Sequence, residues 1–140
     1  MESRTEYEGA CLCGAVHIKA TLSHNHVGVC HCEMCRRWGG GPLFAVECKT
    51  QVSFDGDENI TTFDSSPWAE RGFCRKCGTH LFYRLKQENF YAIPVGLFSG
   101  DNHWVISEQI FIDHKPSFYS LAEKTKCLTG EEVFAQYAGE

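Results

Sequence analysis

The placement of the nine cysteines limits the possible folds of this chain more than any other pattern in the sequence. Seven of them fall into three short groups, Cys11-Leu12-Cys13, Cys30-His31-Cys32-Glu33-Met34-Cys35 and Cys74-Arg75-Lys76-Cys77. Thiolate sulfur is among the preferred ligands of zinc, which takes four donors in a tetrahedral shell. Groups with this spacing are therefore typical of metal-binding turns.

The outer two groups have the form of zinc knuckles. Each is followed by a glycine, Gly14 or Gly78, which lets the backbone turn tightly so that its amides face the sulfurs. Two buried or disulfide-bonded pairs are the alternative, but a disulfide within Cys-x-Cys would be strained. The pattern favours one closed structural zinc site. Its four ligands would be Cys11, Cys13, Cys74 and Cys77.

The central group predicts a second site of a different kind. A short turn can aim the sulfurs of Cys30, Cys32 and Cys35 at one point. Three protein ligands leave a fourth position open, which is the arrangement of catalytic zinc. The alternative is a closed site with His31 or a distant residue as the fourth ligand, and spacing alone does not decide between them. With an open face, the central site is expected to be the more labile.

An open three-thiolate site favours thiol chemistry. Coordination to zinc deprotonates a thiol at neutral pH. Three thiolates make zinc a weak Lewis acid, so holding an added thiolate is favoured over generating hydroxide. Arg36 and Arg37 follow the group directly and could bind a carboxylate in fork geometry, although they could instead only balance thiolate charge. An anionic small thiol suits this arrangement, and His31 is the candidate general base.

Length and the distribution of apolar residues indicate the number of domains and the cellular compartment. A length of 140 residues predicts one domain, 1–140, with a real core. The first residues are polar and no apolar run approaches the ~20 residues of a membrane span, so we expect no secretory signal and no membrane partner. A reducing, cytoplasmic setting with metal-bound thiolates follows. The two lone cysteines, Cys48 and Cys127, are expected to be small buried hydrophobes.

The net charge of −5 disfavours nucleic-acid binding through phosphate contacts. A basic stripe is the only feature in favour of that role. It would consist of Arg36, Arg37, Arg75 and Lys76. The sequence does not indicate an oligomeric state.

Hydrophobic alternation and turn residues predict a mainly β fold. The predicted strands are 7–11, 15–22, 27–30, 43–48, 51–54, 60–63, 68–74, 80–85, 90–95 and 103–112. The turn 55–58 is predicted to join two of these strands, and Pro94 suggests an edge position or a bulge. A short helical turn from Cys35 should stop at the glycines 39–41. A C-terminal amphipathic helix over 128–137 should begin with Thr129 as its N-cap.

The ordered cysteine motifs resemble a known family. The residues that carry the resemblance are Cys11-x-Cys13-Gly14, Cys30-His31-Cys32-x-x-Cys35-Arg36 and Arg71-Gly72-Phe73-Cys74-x-x-Cys77-Gly78. This set is similar to that of the glutathione-dependent formaldehyde-activating enzyme family, which includes the centromere protein V-like proteins. The resemblance covers the chain from about residue 7 to residue 112.

The resemblance implies an Mss4-like fold, a β-rich zinc fold with short helical turns. It implies a structural zinc on the outer four cysteines and a second zinc on Cys30, Cys32 and Cys35, which would form the catalytic site. It also implies glutathione as a co-substrate. The reaction would add glutathione to formaldehyde or a related small aldehyde to give S-hydroxymethylglutathione, a carbon–sulfur lyase reaction run in reverse.

A competing hypothesis is a non-catalytic zinc module that binds a protein partner, since the Mss4-like fold also hosts such binders. Trp38 and the glycine run after it could form an exposed contact surface. A large exposed apolar patch at Trp38 would favour this role. A concave pocket opening onto the central cysteines would favour the enzyme.

Overall fold

The chain folds into two β-sheets flanked by short helices, and the computed structural model describes residues 3–138. The strands are β1 Thr5–Ala10, β2 His17–Leu22, β3 His26–Cys30, β4 Leu43–Lys49, β5 Val52–Asp55, β6 Ile60–Ser66, β7 Ala69–Cys74, β8 His80–Leu85, β9 Phe90–Pro94, β10 Val105–Ile110 and β11 Lys126–Leu128. The helices are α1 Glu33–Gly39 and α2 Gly130–Ala138, with 3-10 turns at Asp57–Asn59, Val95–Leu97 and Ile112–His114. The expected mainly β class with a C-terminal helix is confirmed.

A small sheet packs against a large one. The small sheet has the order β1-β2-β5, and the large one has the order β11-β10-β3-β4-β9-β8-β7-β6. Along β2 the buried Ile18, Ala20 and Leu22 alternate with exposed His17 and Lys19, the expected pattern for a strand with one face in the core. These side chains share one hydrophobic core with residues of the large sheet, including Val46, Leu81 and Ile93.

Gly9 lets the two sheets approach closely. It forms an isolated antiparallel bridge with Phe98, in the segment that follows β9. A Cβ atom at this position would overlap the carbonyl group of Leu97. Only glycine therefore permits this backbone contact, which fixes the end of β1 just before the first cysteine knuckle.

The helix ends follow the predicted capping rules. Thr129 is the N-cap of α2, as expected, because its Oγ1 accepts a hydrogen bond from the Glu132 amide at 3.2 Å. The Glu132 carboxylate accepts one in return from the Thr129 amide at 2.9 Å, which completes a capping box. Helix α1 begins two residues before the predicted start and ends at the glycine run, where Gly40 adopts a left-handed φ of 88°.

Strand pairing departs from the prediction at Pro94 and has two further features that the sequence did not predict. The segments around the turn 55–58 do not form a hairpin, because β5 pairs with β2 in the small sheet whereas β6 pairs with β7 in the large one. Pro94 does not mark an edge, since β9 lies between β4 and β8. It is the last residue of β9, opposite Ala45, and the register shift between the two strands lies between Glu47 and Lys49 on β4, not at Pro94. The last strand is β11, which runs parallel to β10 and carries no alternating pattern long enough to detect.

Among residues 3–138, none of the helices has the length and apolar character needed to cross a membrane.

Candidate metal centres and active site

The two outer knuckles converge, although their sequences are far apart. The four sulfurs of Cys11, Cys13, Cys74 and Cys77 all lie within 4.8 Å of one another. The Cys13 sulfur lies 3.6 Å from that of Cys11 and 3.7 Å from that of Cys74. The geometry therefore brings together a four-sulfur set that could hold one ion.

Each knuckle turns at its glycine. Gly14 and Gly78 both have φ of 80°, a left-handed conformation that side chains disfavour. The Gly14 amide donates to the Cys11 carbonyl at 3.0 Å, and the Gly78 amide donates to the Cys74 carbonyl at 2.7 Å. The two glycines thus have the conformational role that the sequence predicted.

Thr79 connects the two knuckles and was not anticipated from the sequence. Its hydroxyl accepts a hydrogen bond from the Leu12 amide at 3.1 Å and lies 3.1 Å from the Cys77 sulfur. Hydrogen bonds from the Thr79 side chain and backbone lower the pKa of Cys77 to about 5. This lowered pKa favours the thiolate, which is the form in which a cysteine can bind a metal. The sequence signal that could have indicated this role is a hydroxyl residue directly after Cys-x-x-Cys-Gly.

The central cysteines meet where β3 runs into α1. Cys30 ends β3, Cys32 is the N-cap of α1, and Cys35 lies in the first turn of that helix. Their three sulfurs lie within 4.8 Å of one another. The Cys35 amide donates to the Cys32 sulfur at 3.3 Å. Hydrogen bonds from Cys30 and then Cys35 lower the pKa of Cys32, whereas the pKa of Cys30 is raised by the same contact. The three thiols are therefore close enough for each to influence the ionisation of the others.

His31 is completely buried and is not a member of the cluster formed by the three central sulfurs. Its Nδ1 lies 2.8 Å from the Tyr119 hydroxyl, and its Nε2 lies 2.8 Å from Gln109 Oε1. The Gln109 amide nitrogen donates to Thr125 Oγ1 at 3.1 Å, so Oε1 is the atom that accepts from His31. His31 therefore carries its proton on Nε2 and accepts from Tyr119 at Nδ1. Burial lowers the pKa of His31, which keeps the ring neutral.

Both ring nitrogens of His31 are thus engaged by Tyr119 and Gln109. The alternative in which His31 is the fourth ligand is not what the structure shows, nor is this ring placed to act as a general base. The physical reason for the position of the imidazole is that side chains alternate in direction along the extended segment at the end of β3. Neighbouring side chains point to opposite sides, so the sulfurs of Cys30 and Cys32 share one side and the imidazole takes the other.

Arg36 and Arg37 border an open groove of about 300 Å³ beside α1. Its lining residues are Glu33, Arg36, Arg37, Gly40, Gly41 and Phe118. Arg36 Nε donates to the His31 carbonyl at 2.9 Å, and Arg37 Nε pairs with the Glu33 carboxylate at 2.9 Å. The groove lies beside the central cysteines and its lining does not include them. The remaining N–H groups of two guanidiniums there are suited to an anionic ligand.

Trp38, which the interaction-module hypothesis places on an exposed contact surface, packs against neighbouring rings. It is half-buried and stacks on His80 with ring centroids 4.4 Å apart. Phe73 meets the indole edge-on at 5.9 Å. Trp38 therefore packs α1 onto the β7–β8 hairpin, which places the central cysteines close to the hairpin that carries the second knuckle.

The two lone cysteines differ from each other. Cys48 is buried, as expected, with an exposed fraction of 1%. The expectation for Cys127 was wrong, since its side chain is exposed. Cys127 lies on β11, the edge strand of the large sheet, and its sulfur is 3.6 Å from the Thr125 hydroxyl. A three-residue edge strand has little apolar surface to cover its outward side.

This difference predicts contrasting thiol reactivity. Burial raises the pKa of Cys48 to about 12, so this thiol is both inaccessible and protonated at neutral pH. We expect iodoacetamide to modify Cys127 in the native protein and to leave Cys48 unmodified until the chain is denatured. Peptide mapping by mass spectrometry distinguishes the two positions. Comparable native-state labelling of both cysteines would contradict the packing around β4.

Comparison with known proteins places the chain in context. Residues 6–114 match the family described as glutathione-dependent formaldehyde-activating enzyme. A Schizosaccharomyces pombe protein named as an uncharacterized lyase is 41% identical over 129 residues, covering 91% of this chain and 94% of that protein. A Podospora anserina protein, provisionally named a glutathione-dependent formaldehyde-activating enzyme, is 32% identical over 93 residues, which are 59% of this chain and 42% of that protein.

Among solved structures, a crystal structure of a Rhodobacter sphaeroides protein is similar, with a TM-score of 0.59 and 29% sequence identity. The similarity covers 68% of this chain and 90% of the other. The family match includes all three cysteine groups and extends over most of the described fold. The chain therefore belongs to the glutathione-dependent formaldehyde-activating enzyme family.

Proposed function

We propose that this protein is a zinc-dependent enzyme that joins the thiol of glutathione to formaldehyde or a related small aldehyde. The observation that carries the proposal is the convergence of the Cys30, Cys32 and Cys35 sulfurs within 4.8 Å. This donor set fits zinc, since the ion prefers thiolate ligands and takes one further donor. Family membership and the lyase name of a close relative support the same reaction class.

The chain's own residues have distinct tasks in this proposal. Cys30, Cys32 and Cys35 would hold the ion, and zinc bound there would keep an added thiol deprotonated. Arg36 and Arg37 would bind the carboxylates of glutathione in the groove beside α1. Holding the thiol and the aldehyde together contributes by proximity. The sulfur forms a bond to the carbonyl carbon, the carbonyl π electrons move to oxygen, and that oxygen takes a proton from solvent.

The direct test is NMR exchange between glutathione and its formaldehyde adduct. We expect exchange in the presence of the protein to be faster than in buffer, and Cys32→Ser to return it to the buffer rate. Cys127→Ser is the matched control, because it removes an exposed thiol outside both sulfur clusters. Exchange no faster than in buffer would eliminate formaldehyde as the substrate. Acceleration that survives Cys32→Ser would eliminate the central site.

Two ions of different lability are expected per chain. Four ligands close the outer shell, whereas three protein ligands leave the central ion open to exchange. A chelator added in steps should therefore remove one equivalent of zinc readily and the second only at much higher concentration. Elemental analysis after each step measures this order. Less than one metal per chain in zinc-supplemented protein, with all nine thiols freely titrating, would refute both sites.

A further inference from the structure

Arg71 is a buried cation without a carboxylate partner among the described residues. It lies on β7 with an exposed fraction of only 4%. Among the residues that the structure describes, its side chain makes one hydrogen bond, from Nη2 to the Cys35 sulfur at 3.6 Å. By contrast, Arg84 on the neighbouring strand pairs with the Glu70 carboxylate at 3.2 Å. A buried charge is costly unless an opposite charge accompanies it, so Arg71 requires another source of negative charge.

Aromatic rings complete the surroundings of the Arg71 guanidinium. Its central carbon lies 5.0 Å from the ring centroid of Tyr83, the residue opposite it on β8, and 6.0 Å from that of Trp38. Cation–π contacts of this kind are favourable but bring no net charge. The central cysteine cluster, which Arg71 contacts through Cys35, can supply this negative charge.

With a divalent ion bound, the central cysteine cluster would carry the negative charge that the buried Arg71 guanidinium needs. A divalent ion held by three thiolates carries a net charge of minus one, and an added thiolate makes it minus two. Arg36 and Arg37 donate from their Nε atoms to the His31 carbonyl and the Glu33 carboxylate. Arg71 instead donates to a sulfur of the cluster. Arginine keeps its charge at any accessible pH, so this compensation is permanent.

We propose that Arg71 is the positioning residue of the central cluster, which orients the Cys35 thiolate and offsets the charge of a bound thiol substrate. The inference rests on the proposed metal role of the central cysteines and does not depend on which aldehyde reacts. A hydrogen bond to a ligating thiolate withdraws electron density from that sulfur. The fixed positive charge favours a fourth ligand that is anionic over one that is neutral.

Cobalt substitution provides a test that does not use activity. Cobalt(II) bound to thiolate shows a sulfur-to-metal absorption band, and the spectrum of the Cys32→Ser protein gives the contribution of the outer site for subtraction. The variants are Arg71→Met, which removes the charge and the donors, and Arg71→Lys, which keeps the charge. Arg84→Met is the matched control, because it removes an arginine of the same hairpin that has its own carboxylate partner. The ligands titrated are 2-mercaptoethanol as the thiol and imidazole as the neutral competitor.

For Arg71→Met we expect the band of the central site to move to lower energy. We also expect affinity for 2-mercaptoethanol to fall about tenfold, as for loss of other supporting groups around a metal, with imidazole binding unchanged. Arg71→Lys should recover most of the thiol affinity, and Arg84→Met should behave as the unmodified protein.

An unchanged band and unchanged thiol affinity in folded Arg71→Met would overturn the inference while leaving the metal site intact. If Arg71→Met does not fold, the same two affinities are measured for Arg71→Lys. Equal losses of 2-mercaptoethanol and imidazole affinity in that variant would overturn the inference. Absence of any band beyond that of Cys32→Ser in the unmodified protein would refute the proposed metal role, and the inference with it.

Discussion

Replacing Cys77 by serine is expected to lower the thermal midpoint far more than replacing Cys32 by serine. Cys77 belongs to the four-sulfur set that joins the β1–β2 hairpin to the β7–β8 hairpin. Within this set, Cys13 and Cys74 are 61 residues apart in sequence. Closing so long a loop restricts the unfolded chain. The central cysteines span one short turn and close no long loop, so a metal bound there should contribute little to folding.

The expected difference between the two thermal midpoints can be sized from the binding energy of structural zinc. Zinc-finger peptides gain about 10–16 kcal/mol of apparent binding energy from their metal. This chain also has a hydrophobic core of two packed sheets, so only part of such an energy should be lost. A loss of about 3–5 kcal/mol corresponds to a fall of roughly 10 °C or more in the midpoint for a chain of this length. Cys32→Ser should cost at most a few degrees.

Scanning calorimetry of the zinc-loaded variants measures both midpoints. Cys127→Ser serves as the control for loss of an exposed thiol. After complete chelation, the midpoints of Cys77→Ser and the unmodified protein should coincide, because both then lack the outer metal. Equal destabilisation by the two substitutions, or a greater loss from Cys32→Ser, would mean that the structural and functional assignments of the two clusters are reversed.

Local patterns predicted the parts of this fold that depend on neighbouring residues. The spacing of Cys74 and Cys77 and the glycine after them specify a turn with positive φ, which the structure has at Gly78. The alternation along β2 specifies which face is buried, and Thr129 followed by Glu132 specifies a capping box. In each case the responsible interaction joins residues no more than a few positions apart, so the sequence contains the whole signal.

Long-range polar pairs were not predictable in the same way. The contact of Arg71 with Cys35 spans 36 positions, and that of His31 with Gln109 spans 78. Spacing within a motif does not reveal which distant side chain will meet it. The turn at Gly56 shows the same limit, because two strands joined by a short turn would ordinarily pair with each other. Here each finds a partner in a different sheet, a choice made by core packing.

The second large effect expected is destabilisation by His31→Ala. This change removes a fully buried ring and leaves Gln109 Oε1 and the Tyr119 hydroxyl without their partner. Creating a cavity and leaving buried polar groups unpaired should together cost about 3 kcal/mol or more in the free energy of unfolding. Tyr119→Phe removes only the donor to Nδ1 and should cost about 1–3 kcal/mol. His17→Ala, at an exposed position of β2, should change stability by less than about 0.5 kcal/mol.

Urea unfolding of zinc-saturated protein measures these costs, and repeating it in the Cys32→Ser background separates folding from metal binding. If the His31 network supports the fold itself, the cost of His31→Ala should persist when the central metal is absent. The network ties the cysteine turn to β10 and to the segment before β11, so its contacts do not depend on the ion. A cost that vanishes in the Cys32→Ser background would show that His31 acts through the metal. A cost no larger than that of His17→Ala would contradict the hydrogen bonds assigned to the imidazole.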